Sequence, residues 1–381
     1  MTCSQEHRMS RRLVVSHTVV LCLLTLASTA AAQDEPSGFD RAWQFAEWYE
    51  NEDNPVVQSM VLSGRFQADY ARVSDDGVRH DEWNVRRFRF GAKWELFREF
   101  TLQIEADFNP QERDPFYKRL TDAKLEWAPN GDVEFAIGKQ SVPFTLDGAT
   151  SSKELLTIDR SNLANNMWFP QEYMPGLSVA GGKSGWNYHA GAYSAGEANR
   201  EFGEFNGAIF TLLSLGYDLS EHFGADAFDV RVDYINQSED PQNSFTRALE
   251  HVASLSLSVT DGVWGISADV TTGVGYLGQS DLWGAQLLPH VDLNERVQVV
   301  GRFTHVTSDD PNGVRLARYE NQAISGRGDR YREFYTGVNY YIYGHKLKLQ
   351  SGLAFGDMKD TANDGGSYSG TSWVTGLRIS W

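Results

Sequence analysis

Apolar and polar side chains alternate along most of this chain with a period of two, the repeat of an extended strand. The last ten residues show it openly. Trp373, Thr375, Leu377, Ile379 and Trp381 fall on one face, while Val374, Gly376, Arg378 and Ser380 fall on the other. Upstream, Met60, Leu62, Phe66, Ala68 and Tyr70 oppose Ser63, Arg65, Gln67 and Asp69. Phe88, Phe90, Ala92, Trp94 and Leu96 oppose Arg87, Arg89, Lys93 and Glu95. Phe100, Leu102, Ile104, Ala106 and Phe108 oppose Gln103, Glu105 and Asp107. Ala123, Leu125 and Trp127 oppose Asp122, Lys124 and Glu126, and Val133, Phe135 and Ile137 oppose Glu134, Ala136 and Gly138.

The same reading predicts strands near 176–182, 186–194, 207–218, 227–236, 250–260, 263–273, 281–289, 296–306, 331–342, 346–356 and 372–381, sixteen in all. Short turns at Arg98-Glu99, Asn130-Gly131, Ser184-Gly185, Asp261-Gly262 and Gly344-His345 share the chain with long polar connections at 109–119, 143–175, 237–249, 307–330 and 357–371. Charged faces inside a soluble core cost several kcal/mol per unpaired group. They cost little where the apolar face meets lipid and the charged face meets water. The expected fold is therefore all-β: a sixteen-stranded, antiparallel, transmembrane β-barrel over 57–381, closed so that no strand edge is left open. The final aromatic strand also resembles the signal read by outer-membrane assembly machinery. A soluble β-sandwich strand is the alternative at that segment.

Residues 1–32 read as a secretory signal peptide: Arg11 and Arg12 precede an apolar stretch from Leu13 to Ala27, and Ala30-Ala31-Ala32 offers a cleavage site. Cys3 and Cys22 both lie in it, so the mature chain holds no cysteine and no disulfide. Leu21 stands where a lipoprotein signal requires a small residue, which argues against lipidation at Cys22. Residues 33–56 form a short periplasmic leader, in which Phe39 to Asn51 reads either as one or two turns of amphipathic helix or as a disordered segment.

The net charge is −17; three bases and one acid lie in the leader peptide, leaving 31 bases against 50 acids. That balance excludes a nucleic-acid surface. No run of 18 apolar residues follows the signal, so no transmembrane helix is expected.

Two stretches carry a family resemblance. They are Asn84-Val85-Arg86-Arg87-Phe88-Arg89-Phe90-Gly91-Ala92-Lys93-Trp94-Glu95-Leu96-Phe97 and Ala136-Ile137-Gly138-Lys139-Gln140-Ser141-Val142-Pro143-Phe144, with Thr150-Ser151-Ser152-Lys153 and Asp159-Arg160-Ser161 after them. Together they resemble the phosphate-selective porin O and P family, from about residue 57 onward and most strongly over 84–183. The family pattern has Glu before Arg-Ser where this chain has Asp159. The resemblance implies an outer-membrane porin of a Gram-negative-type bacterium, a homotrimer, whose third loop folds inward and whose path is lined with bases for an anion. The matching loop here is 143–175. Lys139, Lys153 and Arg160 lie in or beside it, either touching solute or, as Arg160 with Asp159 or Glu154, holding the loop against the wall.

Sorting charges by strand face gives a lumen of about balanced sign but uneven distribution. The expected basic wall, on the last two and first two strands, carries Arg65, Arg87, Arg89, Lys93, Lys346, Lys348 and Arg378. The third to fifth strands carry mainly Glu105, Asp107, Asp122, Glu126 and Glu134. A basic wall facing an acidic one would favour anions such as phosphate or pyrophosphate, because arginine's planar fork suits phosphate oxygens. If these groups merely pair with one another, the pore is general and weakly selective.

Gly273-Val274-Gly275-Tyr276-Leu277-Gly278 fits a dinucleotide fingerprint, but a strand pattern follows it where a helix is required. The mature histidines show no metal-ligand spacing, and no Gly-x-Ser-x-Gly elbow appears. No catalytic residue, metal or cofactor is therefore assigned, and the protein is not expected to be an enzyme. The polar stretch 74–82 reads as a solvated loop. The leading expectation is passive diffusion of small hydrophilic solutes, with outer-membrane lipid and lipopolysaccharide as surroundings. The alternatives are a barrel acting as an enzyme or surface-binding protein through its long loops, and a soluble secreted β protein.

Overall fold

A computed structural model describes residues 37–75, 77–112, 114–168, 173–196, 201–202, 207–243 and 245–381. The expected signal peptide, 1–32, lies outside the described residues. Sixteen strands form the wall. They are β1 (Val57–Asp75), β2 (Val78–Leu96), β3 (Phe100–Phe108), β4 (Tyr117–Asn130), β5 (Val133–Ser141) and β6 (Tyr173–Lys183). Next come β7 (Trp186–Ser194), β8 (Ile209–Asp218), β9 (Ala227–Gln237), β10 (Leu249–Asp261) and β11 (Trp264–Gly275). The last are β12 (Leu282–Asn294), β13 (Val297–Ser308), β14 (Arg330–Tyr343), β15 (Leu347–Lys359) and β16 (Tyr368–Ser380). Each pairs antiparallel with the next, and β16 closes on β1 from Gly370↔Asp75 to Ser380↔Arg65. The result is a closed antiparallel barrel with no free edge.

The alternation read from the sequence sets which face each side chain takes. Phe90, Ile104, Leu125, Trp127, Phe135, Ile137, Leu213, Leu255, Phe334 and Phe355 are all exposed on the outer face, an apolar surface far larger than a soluble monomer carries. Arg65, Asp69, Arg87, Arg89, Glu105, Asp107, Arg302, Glu333, Lys348 and Arg378 are buried on the inner face. No helix among the described residues is long and apolar enough to cross a membrane, so the strands are the crossing elements.

Three local readings are corrected. The polar stretch 74–82 is mostly strand: β1 runs to Asp75 and β2 starts at Val78, with Arg72 paired to Asp81 across the hairpin at 2.7 Å. In the leader, helix α1 (Gly38–Trp43), capped by Ser37 and Asp40, passes into a 3₁₀ turn, Gln44–Ala46. It then becomes a short strand, Glu47–Glu50, rather than continuing as helix. The reason lies in the seam. Trp381 ends the β16 side of β1 at Gly64, and Glu47–Glu50 takes over the vacant partners at Ser59, Met60 and Val61. Finally, the expected long connections omitted 195–208, which joins β7 to β8.

The lumen is not uniformly wet. Inward residues near the long-loop ends of many strands form an apolar cluster: Val73, Met174, Tyr193, Leu212, Ile235, Val252, Leu282, Val306, Tyr331, Met358 and Tyr368. Phe144, Leu163, Met167 and Trp168, from the segment after β5, pack into it. Trp168 meets Phe210 edge-on at 4.9 Å and Phe144 at 5.7 Å. Strands β2 to β5 contribute nothing to this cluster.

Candidate functional site: the barrel interior

The segment 142–168 between β5 and β6 carries two short helices, α2 (Leu146–Ala149) and α3 (Asn162–Met167). Inward side chains from around the wall bond to it. Arg65 donates to Ser152 Oγ at 2.6 Å, and Lys348 donates to the Leu155 carbonyl at 2.8 Å. Asn339 donates to Leu156 O, Arg302 to Thr157 Oγ1 and Arg378 to Ile158 O. Asp269 accepts from Leu146 N–H, and Arg231 donates to Thr145 O. Except for those to Ser152 Oγ and Thr157 Oγ1, these bonds satisfy backbone groups that would otherwise be unpaired away from solvent. They hold the segment against strands on several sides of the interior.

Most of the expected basic wall is buried and engaged with neighbouring protein groups. Arg65 pairs with Glu105 at 3.3 Å, and Arg378 with Asp69 at 2.5 Å. Arg89 donates to Tyr173 Oη at 2.6 Å and lies 3.8 Å from both Glu105 and Asp107. Arg87 donates to Gln67. Lys93 sits half-buried on β2. Lys346 is not on a strand but in the turn before β15, exposed, with its ammonium over the Tyr343 ring. The two signs do not face each other across the gap: β2 adjoins β3, and the charges meet laterally.

Of the constriction candidates, Lys139 lies on β5 directly after Gly138, whose φ is +118° and whose added Cβ would meet the Ala123 carbonyl at 2.3 Å. Lys139 itself is buried. Lys153 donates to the Trp381 carbonyl at 2.9 Å; burial, with Arg65 nearby, pushes its ammonium down to about 8. Arg160 donates to the carbonyls of Asp147 and Thr150, so it ties the segment to itself.

The more accessible bases are ones that alternation alone did not single out. At Gln67/Ala68 the register of β1 against β2 skips from Arg87 to Val85, leaving Arg86 as the extra residue of a bulge. A second bulge, where Asp107/Phe108 face Arg119/Tyr117, leaves Lys118 extra on β4. Arg86 then reaches Asp159 at 3.4 Å, and Arg318 from the 309–329 connection reaches the same carboxylate at 3.6 Å. Burial alone would raise Asp159. Arg86 and Arg318, with Arg87 and Arg378 behind them, outweigh it and hold the carboxyl well below its usual range. The side chains of Arg318, Arg119 and Arg86 are 41%, 27% and 19% exposed, against 2% for Arg89 and 4% for Arg378.

A second insertion completes the site. From the 309–329 connection, Tyr319 donates to Asp69 at 2.7 Å, and Glu320, at the start of helix α4 (Glu320–Ala323), accepts from Tyr331 at 3.0 Å. Burial, with Glu333 close by, pushes Glu320 up to about 8. A cavity lined by Asp159, Arg160, Arg302, Arg318, Tyr319, Glu320 and Glu333 lies between the two insertions. Among the described residues, no three His, Cys, Asp or Glu side chains are grouped to hold a metal.

A closed sixteen-stranded barrel with an apolar belt outside and charged side chains within defines a porin. The chain belongs to the phosphate-selective porin O and P family, whose profile matches residues 61–290. It is an outer-membrane protein of the Gram-negative type. No curated protein matches the sequence. Among solved structures it is similar to the anion-selective porin from Comamonas acidovorans, at 14% identity and a TM-score of 0.61, covering 85% of this chain and 99% of that one. It is similar to the outer-membrane channel DcaP of Acinetobacter baumannii, at 13% identity and a TM-score of 0.57, covering 87% and 99%. The trimer form of OmpT from Vibrio cholerae is 12% identical with a TM-score of 0.51, covering 85% and 99%. At such identities these likenesses concern the fold.

Proposed function

We propose that this porin is a passive channel for small hydrophilic solutes that favours anions, phosphate and pyrophosphate among them, and that it catalyses no reaction. The observation that carries this reading is the Arg86–Asp159–Arg318 cluster. A carboxylate already seated between two guanidiniums, with more bases than acids around it, marks a place where a diffusing anion is stabilised. The solute path runs along β2 to β5, the arc that the apolar cluster leaves free. Arg86, Arg119 and Arg318 meet the solute, with Lys93 further down β2; Arg65, Lys348 and Arg378 hold the narrowing segment in place, and Arg87 and Arg89 brace the wall beside it. The protein works as a homotrimer among outer-membrane lipid and lipopolysaccharide, a reading to which the trimer form of OmpT lends support.

The test is the reversal potential of the purified protein in a planar bilayer under a KCl gradient. The parent should prefer chloride, and Arg86→Gln/Arg318→Gln should lose most of that preference. A parent without ion preference, or a variant with an unchanged one, refutes the reading.

A weakly selective general porin is the second reading. It is favoured by the extent of lateral pairing, in which Arg65–Glu105, Arg231–Asp233, Arg302–Glu333 and Arg378–Asp69 largely cancel one another's field. Equal permeability to chloride and potassium would select it.

A further inference from the structure

The outer face carries a second charge pattern, unrelated to the pore. Where β13, β14 and β15 approach the long connections 309–329 and 360–367, outward positions hold His305, Arg330, Arg332 and Lys359. Arg330 stands directly opposite Lys359, and Arg332 opposite His305. Arg330 and Lys359 are like charges opposed across adjacent strands, which repel. Within the lumen Arg65, Arg89, Arg231, Arg302 and Arg378 each lie beside a carboxylate. Here, among the described residues, no carboxylate lies within ion-pairing distance of Arg330, Arg332 or Lys359. Asp357, opposite Arg332 in the register, stays beyond that distance. The Nε of Arg330 is buried without a hydrogen-bond partner.

Two residues toward the short turns from the His305, Arg332 and Asp357 rung, and four from Arg330 and Lys359, Phe303, Phe334 and Phe355 stand side by side in register, 47%, 55% and 47% exposed. Arg332 therefore sits directly above an aromatic row that faces acyl chains, with Arg330 and Lys359 one rung higher. A free anion would satisfy only the upper half of this surface. A molecule with phosphate at the headgroup level and hydrocarbon below satisfies both.

We propose that this patch docks a phosphorylated lipid of the outer leaflet, with Arg330, Arg332 and Lys359 taking its phosphate oxygens and the three phenylalanines its chains. The assignment takes the long connections as the external end. It does not depend on the route or selectivity of the pore.

The test uses the full-length protein refolded into vesicles containing lipid A, followed by detergent extraction and mass-spectrometric counting of retained lipid. Arg330→Gln/Arg332→Gln/Lys359→Gln should retain roughly tenfold less lipid A than the parent. Asp357→Asn should retain more, and dephosphorylated lipid should be retained poorly by all. Equal retention by parent and triple variant overturns the proposal, as does indifference to the phosphates or displacement by inorganic phosphate alone. If the triple variant does not fold, Arg332→Gln and Asp357→Asn decide by opposite changes in retention; no change in either refutes it. Arg332→Gln should keep the parent's reversal potential, which separates this result from the fate of the pore reading.

Discussion

The arc β2 to β5 and the remainder of the wall are built on one alternation, yet they reach opposite interiors. From β6 round to β1, inward positions near the long loops are mostly apolar and close on Phe144, Leu163 and Trp168. Their polar inward groups are spent on the backbone of segment 142–168. Along β2 to β5 no apolar cluster forms, and bulges bring Arg86 and Lys118 out of register, so that Arg86 and Arg119 stay accessible beside buried Arg87, Arg89, Glu105 and Asp122. An inward position in a wide barrel is therefore not by itself a wet one. It is dry where a connection folds over it and wet where none does.

The contrast can be broken most forcefully at Arg302. Its guanidinium pairs with Glu333 at 2.9 Å, with both side chains almost fully buried. Arg302→Gln strands a buried carboxylate and should cost about 3–5 kcal/mol in denaturant unfolding from vesicles. A loss below about 1 kcal/mol would mean that this arc is wetter than its burial implies. Leu163→Ala removes a fully buried side chain from the segment's anchor and should cost about 2–5 kcal/mol. Because the anchor loosens, single-channel conductance should rise and become noisier.

Glu320 offers a pH handle on the same arc. Its folded-state value, about 8, lies above its ordinary 4.5, so the folded protein binds the extra proton. The stability this contributes is fully present below about pH 4.5 and is lost as pH rises through about 8. Protease sensitivity or hydrogen exchange of 309–329 should therefore increase between pH 6 and pH 9, and Glu320→Gln should flatten that dependence. The smallest stability effect belongs to the open arc. Arg86→Gln breaks a partly exposed pair and should cost no more than about 1 kcal/mol while shifting reversal potential. A large stability loss there would show Arg86 to be scaffold like Arg89.

Legibility in the sequence followed the kind of interaction. Strand number and facing were readable because a period of two is local and lipid against water enforces it. Arg65, Arg87, Arg89, Lys348 and Arg378 lie on the inner face for that reason, but their burial among hydrogen bonds and ion pairs was not visible. Arg86 was missed because a bulge breaks the parity on which the reading depended. Arg318 was missed because it arrives from a connection with no period at all. The strand Glu47–Glu50 was read as helix or disorder because its partner lies at the seam, where β16 stops short of the end of β1.

Sequence by itself determined the barrel, its strands, its greasy exterior and the identity of most inward charges, since each follows from short-range alternation under a single solvent constraint. Only the tertiary structure decided which of those charges remain within reach of a solute. That outcome depends on where two long connections fold back into the cylinder, and contacts between residues hundreds of positions apart leave no local pattern to read.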